Sequence, residues 1–564
     1  MGKNNKLSKY IPLIVAISVL VGFAISIYVF PVRSTIKIPF ASKFSSNSEK
    51  YYLDKFSQVK YLIQNSYVDS VDNDKLEEIA IVSLLDSLDP HSVYISKEDL
   101  KIANEQIMGN FEGIGIQFRL EKDSVYVVDV IKGGPSKKAI RTDLDNPEEI
   151  KKAINTGLRA GDRIVSVNDS IVSGVNKKNE DIMRLIRGPK GTKVNLGVKR
   201  KNYDNLIYFQ ITRGVIPNKS VEVSYMINDT VGFIKVTGFT LSTSEEFHNA
   251  LQKLKNKGMN SLILDLRNNG GGLLQSAVDV CSELLKPQTL IVYTEGYNQP
   301  RRDIYTTKHG LFNDGRIVVL VDETSASASE IVAGAIQDYD RGTIVGRRTF
   351  GKGLVQEQIP LLDSSAIRLT VSRYYTPSGR CIQRPYDSGK SEYYHEFLER
   401  LTSGELMNAD SMQVKDTIHK YYTRLGRIVY GGGGIVPDVF VALKKIDENE
   451  YYYDLIDKSI LFDFAFDYTD NNREELLQKY PSLSDFIENF NVTWGMYDQI
   501  INMADKAKIR FNQTKFNNAK ADIEILVKAY IGRNLFDSEG FYYFYNLMDD
   551  DVKTALDSFN YLEN

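Results

Sequence analysis

The chain is poor in the residues that most enzyme sites and scaffolds are built from: its 564 residues include 2 Cys, 5 His and 1 Trp. Cys281 and Cys381 cannot make a disulfide framework, and no C-x-x-C spacing offers zinc or redox chemistry. They read as buried free thiols, with a single bridge left open. His91, His248, His309, His395 and His419 are scattered, without H-E-x-x-H or another ligand spacing. A G-x-S-x-G elbow is also missing, so a metal centre and a histidine-based triad are both set aside. An excess of charge is lacking too. Lys plus Arg total 70 against 73 Asp plus Glu, a net charge of −3, which leaves no electrostatic footprint for nucleic acid. With 15 Pro and 39 Gly, collagen-like and low-complexity classes are excluded. The 42% hydrophobic and 25% charged composition is that of folded protein, and the length predicts about three or four domains.

One long apolar run stands out. Residues 11–30, IPLIVAISVLVGFAISIYVF, carry no charge and are long enough to cross a bilayer as a helix. Lys3, Lys6 and Lys9 precede the run, which orients the N-terminus to the cytoplasm and exports the remainder. The run is longer than a signal-peptide core, and Ile25-Ser26-Ile27-Tyr28 lacks a small-x-small cleavage site. An uncleaved anchor in residues 1–35 is therefore favoured over a cleaved signal.

Beyond a Ser/Lys linker, residues 50–108 repeat apolar positions three or four apart and predict a small helical unit broken at Asp89-Pro90. Residues 109–215 change to short strands separated by glycine turns, with one helix at EDIMRLIRG. From 216 to 445, β-branched runs such as SLILDLR and RIVVLVDE alternate with helical patterns such as GLLQSAVDVCSELL. This predicts an α/β core with at least part of its sheet parallel. Residues 446–564 are Tyr- and Asp-rich and predict helices, with Phe541-Tyr542-Tyr543-Phe544-Tyr545 as core. The fold class is a multidomain α+β chain: membrane helix, helical cap, β-rich module, α/β core and C-terminal helical domain.

Gly346 to Lys352 matches the start of a phosphate-binding P-loop, but Gly353 stands where a Ser/Thr hydroxyl is needed for magnesium. A stronger candidate is Ser325-Ala326-Ser327-Ala328-Ser329-Glu330, between a buried strand and an apolar helix. Ser327-x-x-Glu330 reads as a capping box, with Ser329 and Glu330 as capping residues. Taken alone the motif favours the cap; the functional alternative is a nucleophilic serine at a helix N-terminus, where free N–H groups favour a developing oxyanion. No histidine is well placed as its base. Lys352, flanked by Gly351 and Gly353, is either a solvated turn lysine or a buried, neutral base. Gln356 could orient its amine, although on a straight strand the two positions lie roughly 13 Å apart. Gly270, Gly271 and Gly272 close LDLRNNGGG, as a tight turn or as amides approaching a substrate oxygen.

Together these residues resemble the C-terminal processing (tail-specific) proteases, serine proteases with a Ser/Lys dyad. The matching segments are LDPHSVYI at 88–95, EGIGIQF at 112–118, LDLRNNGGG at 264–272, SASASEIVAGAIQD continuing to GRRTFGKGLVQ, SRYYTPSGRCIQ at 372–383 and GGIVPDV at 433–439. Lys352 follows Ser327 by 25 positions and Gln356 by 29, as in the family's arrangement. The resemblance implies that 109–215 is a PDZ domain and 216–445 a serine protease core. Gly113, Ile114, Gly115 and Ile116 would then receive a terminal carboxylate, and the following strand a peptide. GLRAGDRIVSVND at 157–169 is similar to the family's second PDZ signature, whereas a charged stretch at roughly 140–155 departs from it.

It further implies acyl transfer by Ser327, with Lys352 as base and acid and Gln356 positioning it. The amides of Ala328 and of Gly271 or Gly272 hold the oxyanion, without metal or cofactor. The expected substrates are unstructured protein or peptide C-termini. The expected location is the bacterial inner membrane with the catalytic part in the periplasm, or the periplasm after cleavage. A homo-oligomer or an adaptor is compatible with the pattern. The rival reading is a membrane-tethered PDZ scaffold on an inactive core.

Overall fold

The computed structural model describes residues 55–561 apart from 122, 132, 145–156, 201–202, 308, 412–415 and 444–448. The apolar run 11–30 and most of the charged 140–155 stretch lie outside the described residues. Among the described residues no helix is long and apolar enough to cross a membrane. The chain divides into two units, 1–76 and 77–564. In the first, helix Lys55–Ser66 exposes both its apolar and its polar positions, and none of its residues is buried.

Within the second unit, the β-rich module is an antiparallel sheet in the order Ile116–Glu121, Ser124–Val130, Arg163–Val167, Lys193–Lys199, Ile207–Thr212, Ile140–Arg141. Alternate residues point inward, as the period of a half-buried strand requires. Val125, Val127, Ile164, Val194, Leu196 and Phe209 form its core, onto which helix Asn179–Ile186 lays Ile182 and Ile186. Strand Ile116–Glu121 is left at the edge of this sheet.

The α/β core holds a six-stranded sheet in the order Val221–Met226, Val231–Val236, Ser261–Asp265, Arg316–Val321, Thr343–Gly346, Val439–Phe440. Only the first pair is antiparallel. The central strands are buried on both faces, which is why they read as continuous apolar runs rather than alternating ones. Helices Thr243–Asn256, Leu274–Leu284 and Ala328–Asp338 cover one face. The other face is covered from far along the chain. Val552, Ala555 and Phe559 of helix Asp550–Tyr561 pack on Phe233, Ile263, Val318, Leu320 and Val345. The C-terminal segment, expected as a separate helical domain, thus supplies the second layer of the core sheet. Its other helices bury Phe464, Phe486, Phe516 and Phe544 in a core of their own. It also reaches the β-rich module, where Arg119 of the edge strand pairs with Asp463 and lies 4.4 Å over the Phe462 ring.

A second, antiparallel sheet stands beside the first. Its strand Ala366–Tyr375 pairs with Leu354–Pro360 and Leu290–Gly296, and the latter pairs with Gln299–Tyr305. It also pairs with Val93–Ile95, with Val93 opposite Arg368. Helix Asn73–Asp86 ends before Asp89-Pro90, where the break was expected, and the chain then adds a short strand to this sheet before helix Lys97–Met108. The Asp89 carboxylate fastens that strand, accepting the N–H groups of His91 (2.8 Å) and Ser92 (2.9 Å) and the Thr370 hydroxyl (3.1 Å). Cys281 and Cys381 are both free thiols; Cys281 is buried and Cys381 partly so.

Candidate active site

Ser327 stands where strand Arg316–Val321 gives way to helix Ala328–Asp338. The Asp322 carboxylate ties the connecting turn by accepting the N–H groups of Thr324 and Ser325, each at 3.0 Å. Ser327 itself has φ 54° and ψ −112°. A non-glycine residue held there costs about 1–3 kcal/mol, so the surroundings must enforce it. Gly271 is one of those surroundings. A Cβ added to it would lie 2.7 Å from the Ala326 carbonyl oxygen and 2.8 Å from Ser327 Cβ. Only glycine permits so close an approach.

The amides near Ser327 are not equivalent. Ala328 is the first helical residue, so its N–H has no intrahelical acceptor. Gly271 donates its N–H to Asn269 Oδ1 at 2.9 Å, which commits one of the two glycine amides expected to face substrate. Phe239 donates to the Gly271 carbonyl (3.0 Å), and Leu273 donates to that of Phe239 (2.8 Å). This pairing passes Gly272 by. Among the described residues, no hydrogen bond engages the N–H of Gly272 or of Ala328, and both residues line the cavity described below.

Lys352 precedes strand Leu354–Pro360. Its Nζ donates to Gln356 Oε1 at 2.9 Å, and Gln356 Nε2 donates to the carbonyl of His91. The straight-strand separation is removed in two ways: the strand begins after Lys352, and its register shifts between Val355 and Gln356. Burial pushes the Lys352 ammonium below the ordinary lysine range, and the Arg368 charge adds to the effect; Asp89 and Glu330 oppose it. A histidine does come near after all. Burial and the Lys352 charge lower His91 to about 4, and its Nε2 lies 3.1 Å from the Tyr393 hydroxyl, so a neutral ring faces Tyr393.

Glu330 does more than cap a helix. Its fully buried carboxylate accepts the N–H of Ser327 (2.8 Å), Gly351 (2.7 Å) and Lys352 (2.9 Å), and the Thr349 hydroxyl (2.5 Å). One side chain thereby binds the Ser327 turn to the Lys352 loop. The buried Tyr374 hydroxyl repeats the link, lying 2.6 Å from the Lys352 carbonyl and 3.1 Å from that of Ser327. Ser329, expected as a cap, donates to the Asn269 carbonyl at 2.9 Å and joins the helix to the glycine loop. Neither Tyr374 nor the His91 carbonyl could be singled out from spacing, because both act across long sequence separations. Asp338 accepts from Arg380 (2.7 Å) and from the Ser378 N–H (2.9 Å).

Ser327, Lys352, Gln356, Ala328, Gly271 and Gly272 line one cavity of about 840 Å³ between the two sheets. Ala103, Gln106 and Ile107 of helix Lys97–Met108 close one side. A second cavity of about 590 Å³ lies under the C-terminal helices and holds none of these residues. Among the described residues no group of three or more His, Cys, Asp or Glu is arranged to hold a metal ion. In the β-rich module, Gly113 to Ile116 form the turn into the edge strand. The Ile114 carbonyl accepts from Ser136 N–H (3.0 Å) and Oγ (2.7 Å), and that of Gly115 from Ile131 N–H (3.0 Å).

The profile of peptidase family S41 matches residues 230–387, that of the PDZ domain 113–209, and that of the activating protease CtpB N-terminal domain 33–99. A family of unknown function matches 451–537. The carboxy-terminal-processing protease of Bartonella bacilliformis is 36% identical over 346 residues, 60% of this chain and 75% of that protein. Carboxy-terminal processing protease CtpB of Bacillus subtilis is 33% identical over 354 residues, 62% of this chain and 69% of that protein. A solved photosystem II D1 C-terminal processing protease is 24% identical over 69% of this chain and 92% of its own, with a TM-score of 0.34.

Proposed function

Since the chain belongs to the carboxy-terminal-processing proteases of peptidase family S41, and so is a serine protease carrying a PDZ domain, we propose that Ser327 and Lys352 are its dyad. Ser327 Oγ attacks a peptide carbonyl carbon while neutral Lys352 Nζ takes the hydroxyl proton. The C–N bond breaks, and Lys352 returns that proton to the leaving amine. Water, deprotonated by the same amine, then releases the acyl group and restores Ser327. The amides of Ala328 and Gly272 hold the oxyanion; Gly271, whose N–H is given to Asn269, shapes the turn. Gln356 aims the Lys352 amine. The observation that carries the reading is the Glu330 carboxylate, which anchors the Ser327 turn and the Lys352 loop at one buried point.

The same reading gives the PDZ domain a tail to hold. The C-terminus of an unstructured substrate would enter the turn Gly113–Ile116 and pair along the edge strand Ile116–Glu121 as an added strand. Residues 11–30 would anchor the enzyme in the bacterial inner membrane, with catalysis on the periplasmic side; the support is the charge-free run after three lysines.

Amidating a substrate's C-terminus removes the charge that the turn receives. With the full-length chain and an unstructured peptide, amidation is expected to lower kcat/KM by about tenfold, the effect of losing roughly 1.4 kcal/mol of docking energy. Mass spectrometry of the products over time gives the rates. Equal rates for acid and amide would remove the docking step.

A further inference from the structure

The catalytic cavity has charge of one sign. Besides the Lys352 amine, which acts in its neutral form, Lys219, Arg302 and Arg368 line it, and no Asp or Glu does. Two carboxylates that act on Lys352 are spent behind the wall: Glu330 on its four donors, and Asp89 on the N–H groups of His91 and Ser92 and the Thr370 hydroxyl. Among the described residues no carboxylate pairs with Lys219, Arg302 or Arg368; Arg368 donates only to the neutral Gln358 oxygen, at 3.2 Å. Arg368 is half-buried on strand Ala366–Tyr375, and Arg302 is exposed at the rim on Gln299–Tyr305. Both belong to the antiparallel sheet that forms one wall. Phe239, Leu274, Ile304 and Ile331 give the lining an apolar part, beside neutral polar side chains such as Gln106, Asn218, Gln275 and Gln358.

A half-buried guanidinium without a carboxylate is incompletely satisfied, because its planar fork matches two oxygens. Low-dielectric walls concentrate the field of such cations and attract anions into the cleft. Resting on the proteolytic reading of this cavity, we propose that the enzyme selects protein tails carrying an acidic side chain within a few residues of the scissile bond, received by Arg368 and Arg302, beside an apolar residue that fills the apolar lining. A lysine at that acidic position meets like charges and is rejected.

The test uses the full-length chain and quenched peptides that share one free C-terminal tail. Each position flanking the cleaved bond carries Asp, Asn or Lys in turn. At one position or more, Asp is expected to raise kcat/KM about tenfold over Asn, and Lys to lower it, with the contrast shrinking in 0.5 M salt as screening shortens the field. Arg302→Glu, a rim change that leaves the wall packing alone, and Arg368→Glu are expected to reverse the order of Asp and Lys. Rates independent of charge at every position, with Ser327→Ala inactive on all peptides, would overturn the acidic preference and leave the protease reading standing. Unchanged cleavage by Ser327→Ala would overturn both.

Discussion

Ser327→Ala is expected to lower peptide-bond hydrolysis by about 10⁴-fold or more, the scale on which serine hydrolases lose their nucleophile. Lys352→Arg is expected to match it. Arginine keeps the positive charge and most of the stem, yet it does not deprotonate, so it offers no base. Both effects should fall on kcat, with KM and the unfolding transition little changed, because neither side chain carries the fold. A Lys352→Arg enzyme that retained most of its rate would remove lysine from the mechanism. The pH profile supplies a second check. Only neutral Lys352 takes the proton, so kcat/KM rises with pH and levels off once the amine is deprotonated. Burial and Arg368 lower the Lys352 pKa, so the rising limb is centred at lower pH than it would be for an ordinary, solvated lysine. Arg368→Gln removes a neighbouring positive charge and stabilises the ammonium. The rising limb therefore moves to higher pH, and a limb that stayed in place would deny Arg368 its share.

Glu330→Ala is expected to cost about 3–5 kcal/mol in stability and nearly all activity. It strands the N–H groups of Ser327, Gly351 and Lys352 and the Thr349 hydroxyl. Each buried donor left without a partner costs roughly 1–3 kcal/mol, partly relieved where water reaches it from the cavity. Glu330→Gln separates folding from positioning. The amide keeps the volume but replaces an acceptor oxygen with an NH₂ that faces donors. Its stability loss should be smaller, about 1–3 kcal/mol, while kcat still falls of order 10²-fold, because small misplacements of reacting groups cost that much. Denaturant unfolding and steady-state rates on the same preparations measure both. An active Glu330→Gln enzyme would confine the residue to helix capping.

Glu330 also shows where sequence reading stops. Three residues after Ser327 it has the spacing of a capping box, and it does accept the Ser327 N–H. Its other partners come from 19 to 22 residues on, through a loop whose path no local pattern describes. The glycine loop behaves similarly. Its composition predicts close backbone approach, and Gly271 does pack on Ser327, but composition does not say which amide is already taken. In the β-rich module more was legible, since its alternation of apolar residues maps directly onto one buried face.

The sequence by itself determined the chemistry on offer: a serine, a lysine and a glutamine at set spacings, glycines at the turns, and apolar periods that select strands and helices. Residue type and short-range periodicity suffice for that, because propensity and nucleophilicity are local. Only the tertiary structure decided the rest. It joined His91 to Gln356 across 265 positions, left Gly272 rather than Gly271 with an uncommitted amide, and covered the core sheet with helix Asp550–Tyr561. Each of these depends on which distant groups share a buried space, where an unpaired donor or an uncovered apolar face is too costly to leave.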